Sequence, residues 1–235
     1  MGSNAMLTQM MTDRTPPLPP VTRPVRKLPQ ANQYAFMTQI DTMGAAMPFA
    51  RNAEIYGENE RADYLYKVLR GSVRTYKLLA DGRRQIGGFY LPGDIFGLEG
   101  GDHHTFSAEA VVDSRVLVVK RSSVMGLAGR DAEIASQLWS VTARELQRTQ
   151  GHIMLLVKTA RERVAGFLLE MANRQPAQNE INLLMPRQDI ADYLGLTIET
   201  VSRTLTQLEQ DEAIAVPKSR HILVRNRGAL SRMNS

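Results

Sequence analysis

Glycine is spread unevenly along this chain, and the unevenness constrains the fold more than any other feature. Nine of the 17 glycines fall between Gly57 and Gly101, among short β-rich runs such as Tyr64-Leu65-Tyr66-Lys67-Val68 and Val73-Arg74-Thr75-Tyr76, with Arg115-Val116-Leu117-Val118-Val119 following. Asp81-Gly82 stands between two such runs, and a two-residue hairpin turn needs residues that tolerate positive φ. Short strands punctuated by glycine turns predict a small antiparallel barrel or jelly roll from about residue 50 to 120. The helical stretch before it, about Ala31 to Met47, predicts one or two short flanking helices.

After about Asp131 glycine becomes rare and the apolar period lengthens. Ile134, Leu138, Val141 or Thr142, Leu146, Thr149, Ile153 and Leu156 recur at three- and four-residue steps, which is one face of a single long helix. So long a helix reads as a dimerisation helix with a partly coiled-coil seam, its interface made by Ile134, Leu138, Leu146, Ile153 and Leu156. The alternative is a helix lying on its own barrel. Thr159 to Arg174 reads as a shorter helix with Val164, Phe167, Leu168 and Met171 inward, ended by Gln175-Pro176.

The segment from Pro186 to Leu208 contains two helical patterns joined by one glycine. Ile190 and Leu194 point one way in the first, and Ala191 is small enough to let a second helix approach closely. Gly195 makes the tight turn, where positive φ carries no steric cost. Thr197 is the N-cap of the second helix, whose buried stripe is Val201, Leu205 and Leu208. Helix, glycine turn and helix at this spacing form a helix-turn-helix.

Glu199, Ser202 and Arg203 share the exposed face near the start of that second helix, the end that enters the major groove. Arginine forks onto O6 and N7 of guanine and glutamate accepts from N4 of cytosine. Ser202 admits a thymine methyl or donates a hydrogen bond. The competing use of the same spacing is an exposed Glu–Arg ion pair one helical turn apart. Ala213-Ile-Ala-Val216 and Ile222-Leu-Val224 then read as two strands around Pro217-Lys218-Ser219-Arg220-His221, a wing with a basic tip. Lys218, Arg220 and His221, with Arg187, Thr197 and Thr200, are candidates for phosphate contacts, which position a protein without reading sequence.

The charge agrees with this division. The net charge is +5, and residues 144–235 carry 13 basic and 10 acidic side chains against 12 and 13 in residues 31–143. A polyanion is therefore expected at the C-terminal part. Residues 1–30 are basic and crowded with Pro16, Pro17, Pro19, Pro20, Pro24 and Pro29, which reads as a disordered leader. Met1-Gly2-Ser3-Asn4-Ala5 reads as a cloning remnant. The absence of cysteine excludes disulfides, thiol nucleophiles and thiolate-held zinc or iron–sulfur clusters. No apolar run is long enough to span a membrane and the first 30 residues lack a signal-peptide core, so a cytoplasmic protein is expected.

A glycine-turned β-roll, a long helix and a C-terminal winged helix-turn-helix bearing Leu196-Thr-Ile-Glu-Thr-Val-Ser-Arg203 resemble the CRP/FNR superfamily of bacterial transcription regulators over about residues 31–228. The Glu-x-x-Ser-Arg arrangement at 199, 202 and 203 is similar to the FNR/FixK type, with Ile198 where the CRP type carries a further arginine. The resemblance implies a homodimer, probing double-stranded DNA for a TTGAT…ATCAA-like inverted repeat and recruiting RNA polymerase as an activator. Three departures limit it. The FNR oxygen sensor needs cysteines, and there are none. Cyclic-nucleotide binders carry an arginine directly before a Ser/Thr-Ala pair, and here Phe106 precedes Ser107-Ala108, so cyclic AMP is not expected. Pro186 stands where relatives often carry Ser, Thr or Cys; proline suits a first helical turn.

The expected fold class is α+β: leader 1–30, β-roll 31–130, dimerisation helix 131–157 and winged helix-turn-helix 158–235. No enzyme activity, cofactor or metal is expected. Two other readings stay open: the same fold gated by an unidentified effector or haem in the β-roll, and a cupin-like metalloenzyme. For the latter, His103-His104 lie near Glu99 and Glu109, but consecutive residues of a strand face opposite ways, so the pair is expected in a solvated loop. His152 on the long helix is expected to be a packed or interface histidine rather than a haem ligand.

Overall fold

The computed structural model describes residues 35–177 and 179–234; the leader expected over residues 1–30 lies outside the described residues. Helix α1 (Ala35–Met43) gives way at once to strand β1 (Ala45–Phe49). The flanking helix was expected to reach Met47, but Met47 instead pairs with Val116. Pro48 explains the change, since it cannot continue a helix and is tolerated on an edge strand, and β1 is at the edge of its sheet.

The roll continues through β2 (Glu54–Tyr56), β3 (Tyr64–Arg70), β4 (Val73–Leu78), β5 (Arg84–Tyr90), β6 (Ile95–Phe96), β7 (Ser107–Ala110) and β8 (Ser114–Lys120). These form two four-stranded sheets, ordered β1-β8-β3-β6 and β2-β7-β4-β5, antiparallel throughout. The runs singled out in the sequence are β3, β4 and β8. Asp81-Gly82 lies in the β4–β5 hairpin, where Leu78 pairs with Arg84 and Gly82 has φ 82°. Between the sheets Tyr66 and Phe96 pack at 5.1 Å and Tyr90 and Phe96 at 5.0 Å between ring centroids.

His103-His104 corrects one expectation. His103 is exposed, whereas His104 is 1% exposed and stacks on Tyr56 with centroids 3.6 Å apart and planes 11° from parallel. Its Nδ1 is 3.2 Å from Glu99 Oε1. The two side chains diverge as neighbours on extended backbone do, and the inward one found an aromatic wall. Glu109 belongs to β7 and faces Arg74 instead. Among the described residues no group of three or more His, Asp or Glu could hold a metal ion.

After a short helix α2 (Arg121–Ala128), the long helix α3 runs from Ala132 to Leu156. Asp131 caps it by accepting the Glu133 N–H at 2.9 Å. One face of α3 is used within the chain: Ile134 and Val141 are buried with Phe36, Ile40 and Leu65, and Leu138 packs against the same cluster. Ile134, 1% exposed, therefore cannot belong to a partner interface, which corrects the expected seam, and Leu138 is largely withdrawn from it. Leu146 at 59% and Ile153 at 56% are exposed, as is Trp139 at 73%; Leu156 is half-buried. Trp139, Leu146 and Ile153 stand seven residues apart on a second apolar face.

Helix α4 (Ala160–Asn173) opens with a capping box between Thr159 and Glu162, which satisfies two backbone N–H groups at once. Its Val164, Phe167, Leu168 and Met171 are buried. The remainder is β9 (Glu180–Asn182), α5 (Arg187–Leu194), α6 (Ile198–Gln210), β10 (Ile214–Lys218), β11 (His221–Val224) and α7 (Arg227–Met233). The wing is a three-stranded sheet ordered β10-β11-β9, not a bare hairpin. No helix among the described residues is long and apolar enough to cross a membrane.

Candidate nucleic-acid interface

Helices α5 and α6 meet through Ile190, Ala191 and Leu194 on one side and Val201, Leu205 and Leu208 on the other, all buried. Pro186 precedes α5 in extended conformation without a side-chain cap. Gly195 ends α5 with φ 63° and ψ 39°, the left-handed geometry that favours glycine. Thr197 Oγ1 then accepts the Thr200 N–H at 3.2 Å and lies 3.1 Å from Thr200 Oγ1, so both threonines serve the cap of α6.

With its apolar stripe buried, α6 presents Glu199 and Arg203 to solvent and Ser202 half-buried. The Glu199–Arg203 ion pair that their spacing permits does not form among the described residues. Glu199 is held below the usual carboxylate range by hydrogen bonds from its own backbone N–H and from the Thr197 hydroxyl, leaving an acceptor-only group at neutral pH. Arg187 Nη1 donates to Ser202 Oγ at 3.2 Å, bringing a cation from α5 to the edge of this face. The wing strands run further than expected, with Lys218 opposite His221, so the turn is Ser219-Arg220. Lys218 and Arg220 are exposed. His221 departs from the basic tip: its Nδ1 is 2.9 Å from Asn182 Oδ1, across the β11–β9 ladder.

Sequence reasoning missed the contact of this unit with the roll. Arg74 on β4 donates to Asp189 on α5 and, at 2.7 Å, to Glu109 on β7. Arg84 on β5 donates to Asp189 at 2.6 Å and to Asp192 at 2.8 Å. The β4–β5 hairpin also walls a cleft of ≈ 750 Å³ with Leu79 and Arg83 on one side and Thr197, Glu199 and Thr200 on the other. The only signal in the sequence was a charged residue, Asp189, on the inner face of α5. Within the roll, Phe106 lies close over Gly87, where an added Cβ would come within 2.9 Å of its ring.

The chain matches two family models, a cyclic nucleotide-binding domain over residues 46–131 and a Crp-like helix-turn-helix domain over residues 162–233. It is 52% identical over 202 residues to the nitrogen fixation regulation protein FixK of Azorhizobium caulinodans, covering 83% of this chain and 82% of that protein. It is 41% identical to the FixK of Rhizobium meliloti, covering 72% and 77% respectively. The solved structure of FixK2 from Bradyrhizobium japonicum superposes with a TM-score of 0.78 at 50% identity, covering 82% of this chain and 98% of that one.

Proposed function

Since the chain belongs to the CRP/FNR family of DNA-binding transcription regulators and is FixK-like, we propose that it works as a homodimer that reads a TTGAT…ATCAA-like inverted repeat and activates transcription by engaging RNA polymerase, with no effector in its β-roll. The observation that carries this reading is the outward face of α6. Glu199 and Arg203 are exposed without pairing to one another, while the opposite side of the same helix is buried. Arg203 addresses guanine, Glu199 cytosine, and Ser202 the adjacent step. Lys218, Arg220, Arg187, Thr197, Thr200 and His221 address phosphates; Arg187 also holds Ser202, Thr197 and Thr200 also serve the cap of α6, and His221 also meets Asn182.

The dimer reading rests on the second apolar face of α3. Trp139, Leu146 and Ile153 repeat every seven residues, each followed three residues later by Thr142, Thr149 or Leu156, the spacing of a two-helix seam. A two-fold axis along α3 sets two copies of α6 on successive major grooves, as an inverted repeat requires. Effector independence is supported by the aromatic filling of the roll and by Phe106 beside Ser107-Ala108.

The test is a gel shift of the purified, ligand-free chain on a TTGAT…ATCAA duplex and on a scrambled one. Specific retention of the first is expected. Retention only after an effector is added would sink the effector-independent form, and equal retention of both duplexes would sink the base-reading assignment. A purified transcription assay in which the protein leaves polymerase output unchanged at such a site would sink the activator assignment.

A further inference from the structure

Five charged side chains from four elements meet where the roll touches the helix-turn-helix. Arg74 is 5% exposed and Asp189 1%, and they bind one another directly. Glu109 takes the second Arg74 nitrogen, and Arg84 closes the cluster by bridging Asp189 and Asp192. Asp192 is held in turn by Gln188 Nε2 at 2.7 Å. Removing one member would strand a buried charge, which is far costlier than losing an exposed pair. Docking therefore keeps Arg74 and Asp189 matched in the interior, and undocking separates them into water.

Asp189 directly precedes Ile190, whose side chain is in the α5–α6 core. Fixing Asp189 fixes α5, and through the Gly195 turn it fixes the direction of α6. Two further contacts act on the same unit: Gln85 Nε2 donates to the Tyr193 carbonyl at 3.3 Å, and Arg174 on α4 donates to Asp94 in the β5–β6 turn. We propose that the Arg74–Asp189 cluster orients the reading helix for DNA, making Arg74, Asp189 and Arg84 positioning residues for recognition of the inverted repeat. The proposal rests on the reading of α6 as the base-reading helix and adds how this chain sets its orientation from within.

The experiment compares full-length wild type with Asp189→Asn, Arg74→Met and Arg84→Gln on inverted repeats of native spacing and of spacing changed by one or two base pairs. Thermal unfolding is followed in parallel. Wild type should discriminate strongly against altered spacing. Asp189→Asn and Arg74→Met should bind the native repeat at least tenfold more weakly and lose most of that discrimination, because the readers swivel, and the double variant should be no worse than either single one. Arg84→Gln, at the outer edge of the cluster, disturbs the interior least and should give an intermediate loss. Folded variants with wild-type affinity and wild-type spacing discrimination overturn the proposal. Arg203→Ala separates the two ideas: if it too binds as wild type, the reading of α6 has failed; if it alone is defective, only the positioning role has.

Discussion

His152 on α3 lies flat against Tyr193 on α5, with ring centroids 3.8 Å apart and planes 9° from parallel, and its Nε2 is 2.7 Å from the Tyr193 carbonyl. The long helix thus grips the first helix of the reading unit through a titratable side chain. Burial lowers the His152 pKa below its ordinary 6.5, and hydrogen bonds to the Tyr193 and Gly87 backbone offset this only in part.

The sign of the linkage follows. A histidine with a depressed folded pKa is bound neutral, so its contribution is complete above the unfolded value and is lost as pH falls through the folded one. Unfolding midpoints should therefore decline from about pH 6.5 downward. Glu170, raised by burial, acts in the opposite sense, so the informative quantity is a difference. His152→Phe keeps a ring on Tyr193 and cannot titrate; the gap between its midpoint and that of wild type should narrow or reverse on acidification. A gap constant from pH 8 to pH 5 would remove His152 from the account.

The two faces of α3 predict opposite failures. Ile134→Ala empties a buried site beside Phe36 and Leu65 and should cost about 2–5 kcal/mol of stability without changing the oligomeric state. Leu146→Lys and Ile153→Lys, on exposed positions, should leave the fold intact and dissociate the proposed dimer. Sedimentation with parallel denaturant unfolding distinguishes them; a Leu146→Lys protein still dimeric at micromolar concentration would move the interface elsewhere.

These two faces also show where the sequence stops being legible. Apolar residues at three- and four-residue steps look like one stripe that joins Ile134 to Leu146, although Ile134 lies on the roll and Trp139 opens the outward heptad. The helix-turn-helix was readable because a small Ala191, a left-handed Gly195 and a capping Thr197 are each demanded locally. The Arg74–Asp189 contact, 115 residues apart in the chain, leaves no local pattern. His104 was misplaced for a related reason: flanking glycines and polar neighbours report the loop, not the aromatic wall from β2 that it meets.

Gly195 supplies a third prediction. At φ 63° a Cβ would meet only Arg163 Nη1 at 3.4 Å and Leu156 Cδ2 at 3.7 Å, so space is adequate and the cost is conformational. Gly195→Ala should lose about 1–2 kcal/mol, and Gly195→Asn less, because asparagine tolerates the left-handed region. Denaturant midpoints measure both. Equal losses would point to the side-chain contact rather than the backbone.

Arg203 and Lys218 separate reading from holding. Arg203 is exposed on α6 with no competing ion pair to Glu199, so Arg203→Ala should cost about 1–3 kcal/mol on the inverted repeat and relax discrimination at one base pair. Lys218 is exposed at the end of β10 and is proposed to address phosphate, so Lys218→Ala should weaken binding about equally on all sequences and lower the slope of log affinity against log salt by about one. Titrations on single-substituted duplexes at several salt concentrations measure both effects. If Arg203→Ala changes the salt slope and not the base preference, Arg203 is a phosphate contact and the reading face must be sought further along α6.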